Sequence, residues 1–333
     1  MQRVGAGIGR IHLQCHGHDT VFSELSYSYP LKLLSPRVTT PGVGVVYVLT
    51  YGGGLVGGDR VNLGVEVEEG ARLVMLTQGS TKVFKSRPGQ TRFARPQGIT
   101  PAQGDTITSQ SLDVTISPNG ALFLLPDPVT CFRAARYSQK QIFRLASKSS
   151  SAVLLDWITS GRISLGEQWV FERYWSLNEV WVDGKRVARD VMLLEEEKEP
   201  LQSSLADGDP SQTDSHPRSA ATPTPSTSQS PLVPKRTLAE RLTPYSCYAT
   251  VLIYGPLTHE TIRYLSSQFE ATTLFKANKR PDLIWSLTLI CNGEGCILRV
   301  AAKETEQVRH WLGAALHLLE GVVGVDIFRK TFS

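Results

Sequence analysis

"GGGLVGGDRVNLGVEVEEG", residues 52–70, decides the fold. Gly52, Gly54 and Gly57 match G-x-G-x-x-G, and the apolar run "GVGVVYVLTY" (residues 42–51) leads into them. A dinucleotide-binding turn has that form only when a helix follows, because the helix N-terminus holds the pyrophosphate. Here Val61, Leu63, Val65 and Val67 alternate with Asn62, Gly64, Glu66 and Glu68, a period of two. That period belongs to a strand. About 20 residues past the turn, where a ribose-binding acid should stand, the chain has Thr77 and Gln78. The glycines therefore read as a tight turn between strands, with Asp59 a fixed acid at its end.

The same texture extends in both directions. From about residue 8 to 194 the chain reads as strand after strand, with no helical period sustained over three turns. "GALFLLP" (120–126) follows the turn "SPNG" (117–120), and "LNEVWVDGKRVARDVMLL" (177–194) holds the hairpin signal Asp183-Gly184. Composition then changes. Residues 196–236 contain no aromatic residue and are rich in Pro, Ser and Thr, so they read as a disordered insertion. Strand-like sequence resumes at "YSCYATVLIYGPL" (245–257), and "LIWSLTLICNGEGCILRVAA" (283–302) reads as a hairpin around Asn292–Gly295. Two helices are predicted. "THETIRYLSSQF" (258–269) puts Ile262, Leu265 and Phe269 on one face, with Thr258 offering an N-cap. "TEQVRHWLGAALHLLEG" (305–321) places Val308, Trp311, Leu312, Ala315, Leu316 and Leu319 on another, capped by Thr305 and ended by Gly321. The expected architecture is mainly β, a large β-rich layered structure with two C-terminal helices packed on it. Residues 1–195 form its core and residues 237–333 complete the same domain.

Composition narrows the function classes. The chain has 333 residues, 41% of them hydrophobic and 20% charged, enough for a sizeable core. A net charge of +4 does not imply nucleic acid, since no basic helix face or aromatic-interleaved groove accompanies it. The acid-free run "KVFKSRPGQTRFAR" (Lys82, Lys85, Arg87, Arg92, Arg95) reads as a solvated loop, with an anion or acidic-partner patch as the alternative. The N-terminus lacks the apolar stretch of a signal peptide, and no apolar run approaches the ~18 residues of a membrane span. Five scattered cysteines without C-x-x-C argue against a disulfide framework. A cytoplasmic, reduced protein without nucleic-acid or membrane partners is expected.

Chemistry is sparse. There is no G-x-x-x-x-G-K-[ST], no G-x-S-x-G and no H-E-x-x-H, so no catalytic residue is assigned. "HLQCHGH" gathers His12, Cys15, His16 and His18, donors suited to nickel or zinc. On an extended strand the three histidines share one face and Cys15 takes the other, so the set reads as an exposed terminal strand or an ion-capturing arm. His310 and His317 read as surface residues. In "LLDWITSGRISLGE" (154–167), Asp156 follows an apolar run, and an ion pair with Arg162 would account for its burial.

Four motifs in order resemble one family. "GGGLVGGD" (52–59), "TQGSTKVF" (77–84), "GALFLLPDPVTCF" (120–132) and "GRISLGE" (161–167) are similar to the urease accessory protein UreD, also called UreH. The resemblance runs from about Gly9 to Asp190 and resumes over "ILRVAAKETEQVRHWL" (297–312); the insertion resembles the longer eukaryotic, especially fungal, form. It implies a helically layered β fold and a non-enzymatic role. UreD-like proteins bind UreF, which recruits the GTPase UreG, and the assembly docks on apo-urease to deliver nickel, through an internal passage by one proposal. No permanently bound cofactor is implied; nickel is cargo in transit. Asp59, Asp156 and Glu167 are then the candidate ligands along that passage, carboxylates being weak enough to release the ion. Two other readings remain: a β-rich scaffold or interaction protein that handles no metal, and a nucleotide-binding enzyme using Gly52–Gly57.

Overall fold

The computed structural model describes residues 5–17, 19–38, 40–85, 107–196, 236–273 and 281–332. His18, the arginines of the basic run (Arg87, Arg92, Arg95) and residues 197–235 of the expected insertion lie outside these. The described strands begin with β1 (Ile8–His16), β2 (Asp19–Tyr27), β3 (Leu31–Leu34), β4 (Val43–Thr50), β5 (Arg60–Val67) and β6 (Arg72–Leu76). They continue with β7 (Thr81–Val83), β8 (Thr108–Ile116), β9 (Ala121–Leu124), β10 (Val129–Cys131), β11 (Arg136–Leu145) and β12 (Ser151–Thr159). The last are β13 (Arg173–Val182), β14 (Lys185–Glu195), β15 (Cys247–Tyr254), β16 (Leu283–Ile290) and β17 (Gly295–Ala302). The helices are α1 (Leu238–Leu242), α2 (His259–Thr273), α3 (Thr305–Ala315), α4 (Glu320–Val323) and α5 (Val325–Phe332).

The strands form two sheets, β14-β13-β11-β8-β5-β1-β2 and β16-β17-β15-β12-β9-β6-β4-β3. From β4 to β13 the chain coils, visiting the sheets in turn, and each circuit lays its strand parallel to the one before. This is the mainly β, helically layered structure expected. One end of the coil is closed by short turns that stack on one another. Ser117 donates its N–H to Val67, Ala146 to Ile116 and Asp183 to Leu145. The opposite end carries the long connections, including the glycine turn.

Two cores explain the sequence texture. The first lies between the sheets, with Ile11, Leu13, Val65 and Phe143 facing Leu73, Met75, Leu122 and Leu154. The second lies between the other face of the second sheet and the helices, where Phe123, Val153 and Trp157 meet Ile262, Val308, Leu312 and Phe328. Central strands of the second sheet, such as β9 and β12, are covered on both faces and read as nearly unbroken apolar runs. The first sheet has one solvent face and alternates, as β5 does.

The glycine turn is what the strand period requires. A short 3-10 turn at Tyr51–Gly53 is followed directly by β5, with no helix. Gly54 has no room for a side chain, since a Cβ there would stand 2.6 Å from the Lys82 carbonyl. Asp183 (φ 48°) and Gly184 (φ 71°) make the β13–β14 turn, and β16–β17 form the expected hairpin.

The helices depart from expectation in detail. Thr258 does not cap α2; its hydroxyl donates to the Gly255 carbonyl within a preceding 3-10 turn. The helix predicted over 305–321 stops at Ala315. Glu304, in a capping box with Gln307, caps it in place of Thr305. A 3-10 turn and α4 follow, and Gly324 (φ 99°), not Gly321, makes the bend into α5. The reason is tertiary: bending the chain there buries Leu316, Leu319 and Val323 together with Ile327 and Phe328.

Candidate functional site

Between the sheets, toward the open end of the coil, lies a cavity of about 80 Å³ whose lining includes Leu63, Gln110 and Gln139 from one sheet and Met75, Leu124 and Asp156 from the other. Val48, Thr77, Thr81 and Gln110 also border an outer basin formed with Lys32, Lys82 and the glycine turn, so the cavity adjoins the surface there. The walls are largely apolar; Asp127, paired with Arg309 at 2.9 Å, lies in the lining beside Thr77, and a separate group of polar side chains gathers on a second acid.

That acid is Asp156 on β12. Its Oδ2 accepts from the Ser176 hydroxyl (2.5 Å) and Asn178 Nδ2 (2.7 Å), and its Oδ1 from Gln139 Nε2 (3.0 Å) and the Tyr174 hydroxyl (3.4 Å). Beyond Gln139 the Tyr137 hydroxyl reaches both Gln139 Oε1 and Gln110 Oε1. A polar chain thus runs from Asp156 toward the cavity's edge. The Asn178 Oδ1 is buried without a hydrogen-bond partner, a demand that a water or an incoming polar group can satisfy. Asp156 is deep in the fold yet keeps some accessible surface, because that surface faces the cavity and not bulk solvent. Arg162, the partner anticipated for it, points elsewhere.

Desolvation raises the Asp156 carboxyl above its ordinary value of 3.8, against the hydrogen bonds from Ser176, Asn178 and Gln139 that lower it. An acid raised by folding contributes stability below its unfolded pKa and loses it as pH climbs through the folded value. The melting-temperature advantage of the wild type over Asp156→Asn is therefore expected to shrink as pH rises above the ordinary carboxyl value of 3.8 and through the raised folded one. An advantage that stays constant or grows would contradict this account of the burial.

The other two acids have structural employment. Asp59 is 3% exposed; its Oδ2 accepts the Val56 N–H (2.9 Å), closing the glycine turn. Glu167 forms a two-pronged pair with Arg162, at 2.8 Å to Nε and 2.7 Å to Nη2. The Arg162 hydrogen bond holds the Glu167 carboxyl below its ordinary range although burial opposes it. Arg162 lies 4.1 Å over the Phe132 ring. The three acids do not converge; Asp156 alone among them lines the cavity.

The N-terminal donors separate too. Cys15 packs against the inter-sheet core and its thiol meets the Gly17 carbonyl, while His16 is exposed. His12 turns outward on the first sheet, where, among the described residues, Glu66 and Glu68 are the ligand-type side chains beside it.

A search of family profiles matches residues 6–211 and 228–328 to the UreD urease accessory protein. The chain belongs to the UreD family. It is 36% identical to urease accessory protein 4 of Cryptococcus neoformans over 93% of this chain and 89% of that one. Its identity to urease accessory protein D of Arabidopsis thaliana is 32%, over 95% and 97%. A ureD-like protein of Schizosaccharomyces pombe is 29% identical over 91% of each. The family is named for an accessory role to urease, and the shared length covers the whole two-sheet coil of this UreD-family chain.

The partners of Asp156 were missed in the sequence because they lie in another sheet. Their signal was parity: Gln139 and Gln141 in β11, and Ser176 and Asn178 in β13, occupy inward positions among buried neighbours such as Tyr137 and Tyr174. The glycine turn makes its own forecast. With β5 where a phosphate-binding helix would start, neither NAD nor GTP is expected to bind with a Kd below about 100 μM. Isothermal titration checks this, and a micromolar isotherm for either would overturn it. Among the described residues no helix is long and apolar enough to cross a membrane.

Proposed function

We propose that this UreD-family protein scaffolds a UreF-like protein and a UreG-like GTPase on apo-urease, and that nickel passes through the inter-sheet cavity on its way to the enzyme. The observation that carries the reading is Asp156, a carboxyl group deep in the fold that, with its hydrogen-bonding partner Gln139, lines a largely apolar cavity adjoining the surface at Thr77, Thr81 and Gln110. A cation and a proton compete for such a group, since a ligand must be deprotonated to bind a metal. Burial already favours the proton, so an ion is held only while it displaces it, which suits transit and not storage. The Ser176 and Tyr174 hydroxyls can turn to offer lone pairs in place of protons, supplying oxygen ligands as the ion passes. The resemblance supplies the partners; the cavity supplies the route.

The test compares Asp156→Asn with Asp59→Ala and Glu167→Gln in cells making urease and the other accessory proteins. Asp156→Asn is expected to keep complex recovery near normal while urease nickel content at limiting nickel falls. Asp59→Ala and Glu167→Gln are expected to lower the melting temperature first, since each removes a bond that closes a turn. Normal urease nickel content in Asp156→Asn would reject the passage.

A further inference from the structure

The outer face of the first sheet carries a group of ligand-type side chains that the cavity does not use. His12 and Glu66 are opposite one another in the parallel β1–β5 pairing. Their strand neighbours Ile11, Leu13, Val65 and Val67 are all buried, so His12 and Glu66 share the solvent side. Adjacent parallel strands lie about 4.8 Å apart, which sets the two side chains next to each other. Glu68 follows two residues after Glu66, just past the strand end. Its N–H donates to the Leu13 carbonyl (2.9 Å), which fixes its backbone. Its Oε1 lies 2.9 Å from His12 Nε2, and one ligand atom from each of the three residues falls within 4.8 Å of the others.

We propose that His12, Glu66 and Glu68 bind a divalent first-row transition ion of the nickel or zinc class, on the face of the sheet opposite the cavity. Metal–ligand bonds of about 2.0–2.2 Å put neighbouring donors about 3.0–3.5 Å apart. Rotation of the two glutamate side chains would have to supply the contraction that this requires.

Two further observations favour a cation here. Among the described residues neither Glu66 nor Glu68 has a lysine or arginine ion pair; the imidazole is the only basic group paired with either. Farther along the same face the acids are matched, Asp113 by Arg144 and Glu179 by Arg186 and Arg189. There is also room. Beside the cluster a trough of about 440 Å³ is lined by Arg10, Glu24, Asp113 and Thr115, and a Cβ on Gly64 at its floor would meet nothing within 4 Å. Arg10 opposes a cation, but the trough and cluster hold Glu24, Glu66 and Glu68 against it. One imidazole nitrogen with two carboxylates suits borderline ions better than calcium or magnesium, which take oxygen alone, or copper(I), which takes sulfur.

The site stands or falls apart from the proposed passage. Equilibrium dialysis of the full chain against nickel(II), and separately zinc(II), would compare the wild type with His12→Ala, Glu66→Gln and Asp156→Asn. His12→Ala and Glu66→Gln are each expected to lose one bound equivalent or to weaken it at least tenfold, with melting temperature unchanged. Asp156→Asn should retain that equivalent, and cobalt(II) bound in its place should lose its visible absorption in His12→Ala. Glu66 is exposed and its carboxylate makes no hydrogen bond to the described residues, so Glu66→Gln separates ligand loss from unfolding. Unchanged stoichiometry and affinity in both variants, or loss only with a lowered melting temperature, would overturn the site.

Discussion

Thr81→Trp is expected to cut urease activation at limiting nickel roughly tenfold or more, equivalent to raising the barrier to passage by about 1.4 kcal/mol. Thr81 sits where the inter-sheet cavity meets the outer basin, and its hydroxyl makes no hydrogen bond to the described residues, so little of the described structure depends on it. An indole is far bulkier than the threonine side chain and would project into the junction that Thr77, Gln110 and Val48 share with the basin. β7 is a three-residue strand at that open end, where the backbone can yield outward without disturbing the stacked turns at the other. Complex recovery with the UreF-like and UreG-like partners should stay near normal. Nickel supplied in excess should restore part of the activity. Full activation at limiting nickel would mean that the ion does not cross this junction.

Trp169→Ala is expected to cost about 3–5 kcal/mol, the range for emptying a large aromatic site. Trp169 is 2% exposed and packs edge-on against Tyr248 and Phe171. Its indole N–H donates to the Tyr245 carbonyl (3.2 Å), and its backbone N–H to Ser160 (2.7 Å). It therefore pins the connection from β12 to β13 against the entry to β15. It holds φ 54°, a conformation that a β-carbon disfavours and that Ala would have to keep without the ring's contacts. At 2–4 °C per kcal/mol, the melting temperature should fall on the order of 10 °C. A drop of only a degree or two would show that this connection is held by its neighbours instead.

Local rules served the β region well. Val61 to Val67 declared a strand, Asp183-Gly184 a two-residue turn and Ser117–Gly120 a turn, because each depends on residues adjacent in the chain. Even the buried sheet was visible, since "GALFLL" and "SAVLLDW" lack the alternation that a solvent face imposes. What local rules could not carry was partnership across sheets. Asp156 was offered Arg162, six residues away, when its hydrogen bonds come from β11 and β13. The pair with Arg162 belongs instead to Glu167. The last helix failed for a related reason: its apolar period continues through Leu319, but burial of Leu316 and Leu319 against the second sheet is better served by a bend. Glu66 and Glu68 read as the polar side of a strand, and only the β1–β5 register brings His12 to them.

The coil has a kinetic consequence. Antiparallel neighbours such as β13 and β14 can close as hairpins, but the parallel pairs cannot. Ile8 must find Asn62, Arg60 must find Ser109, and Arg136 must find Arg173, each with one or more strands of the opposite sheet in between. No single sheet can be completed before the other, so the two must grow together, one circuit at a time. Contacts this distant in sequence close slowly, because loop entropy is lost before any contact repays it. Partly wound chains would expose the unpaired edges of both sheets, the features that recruit stray strands. Refolding yield should accordingly fall with protein concentration more steeply than for a helical protein of equal stability, and late circuits should gain amide protection after early ones.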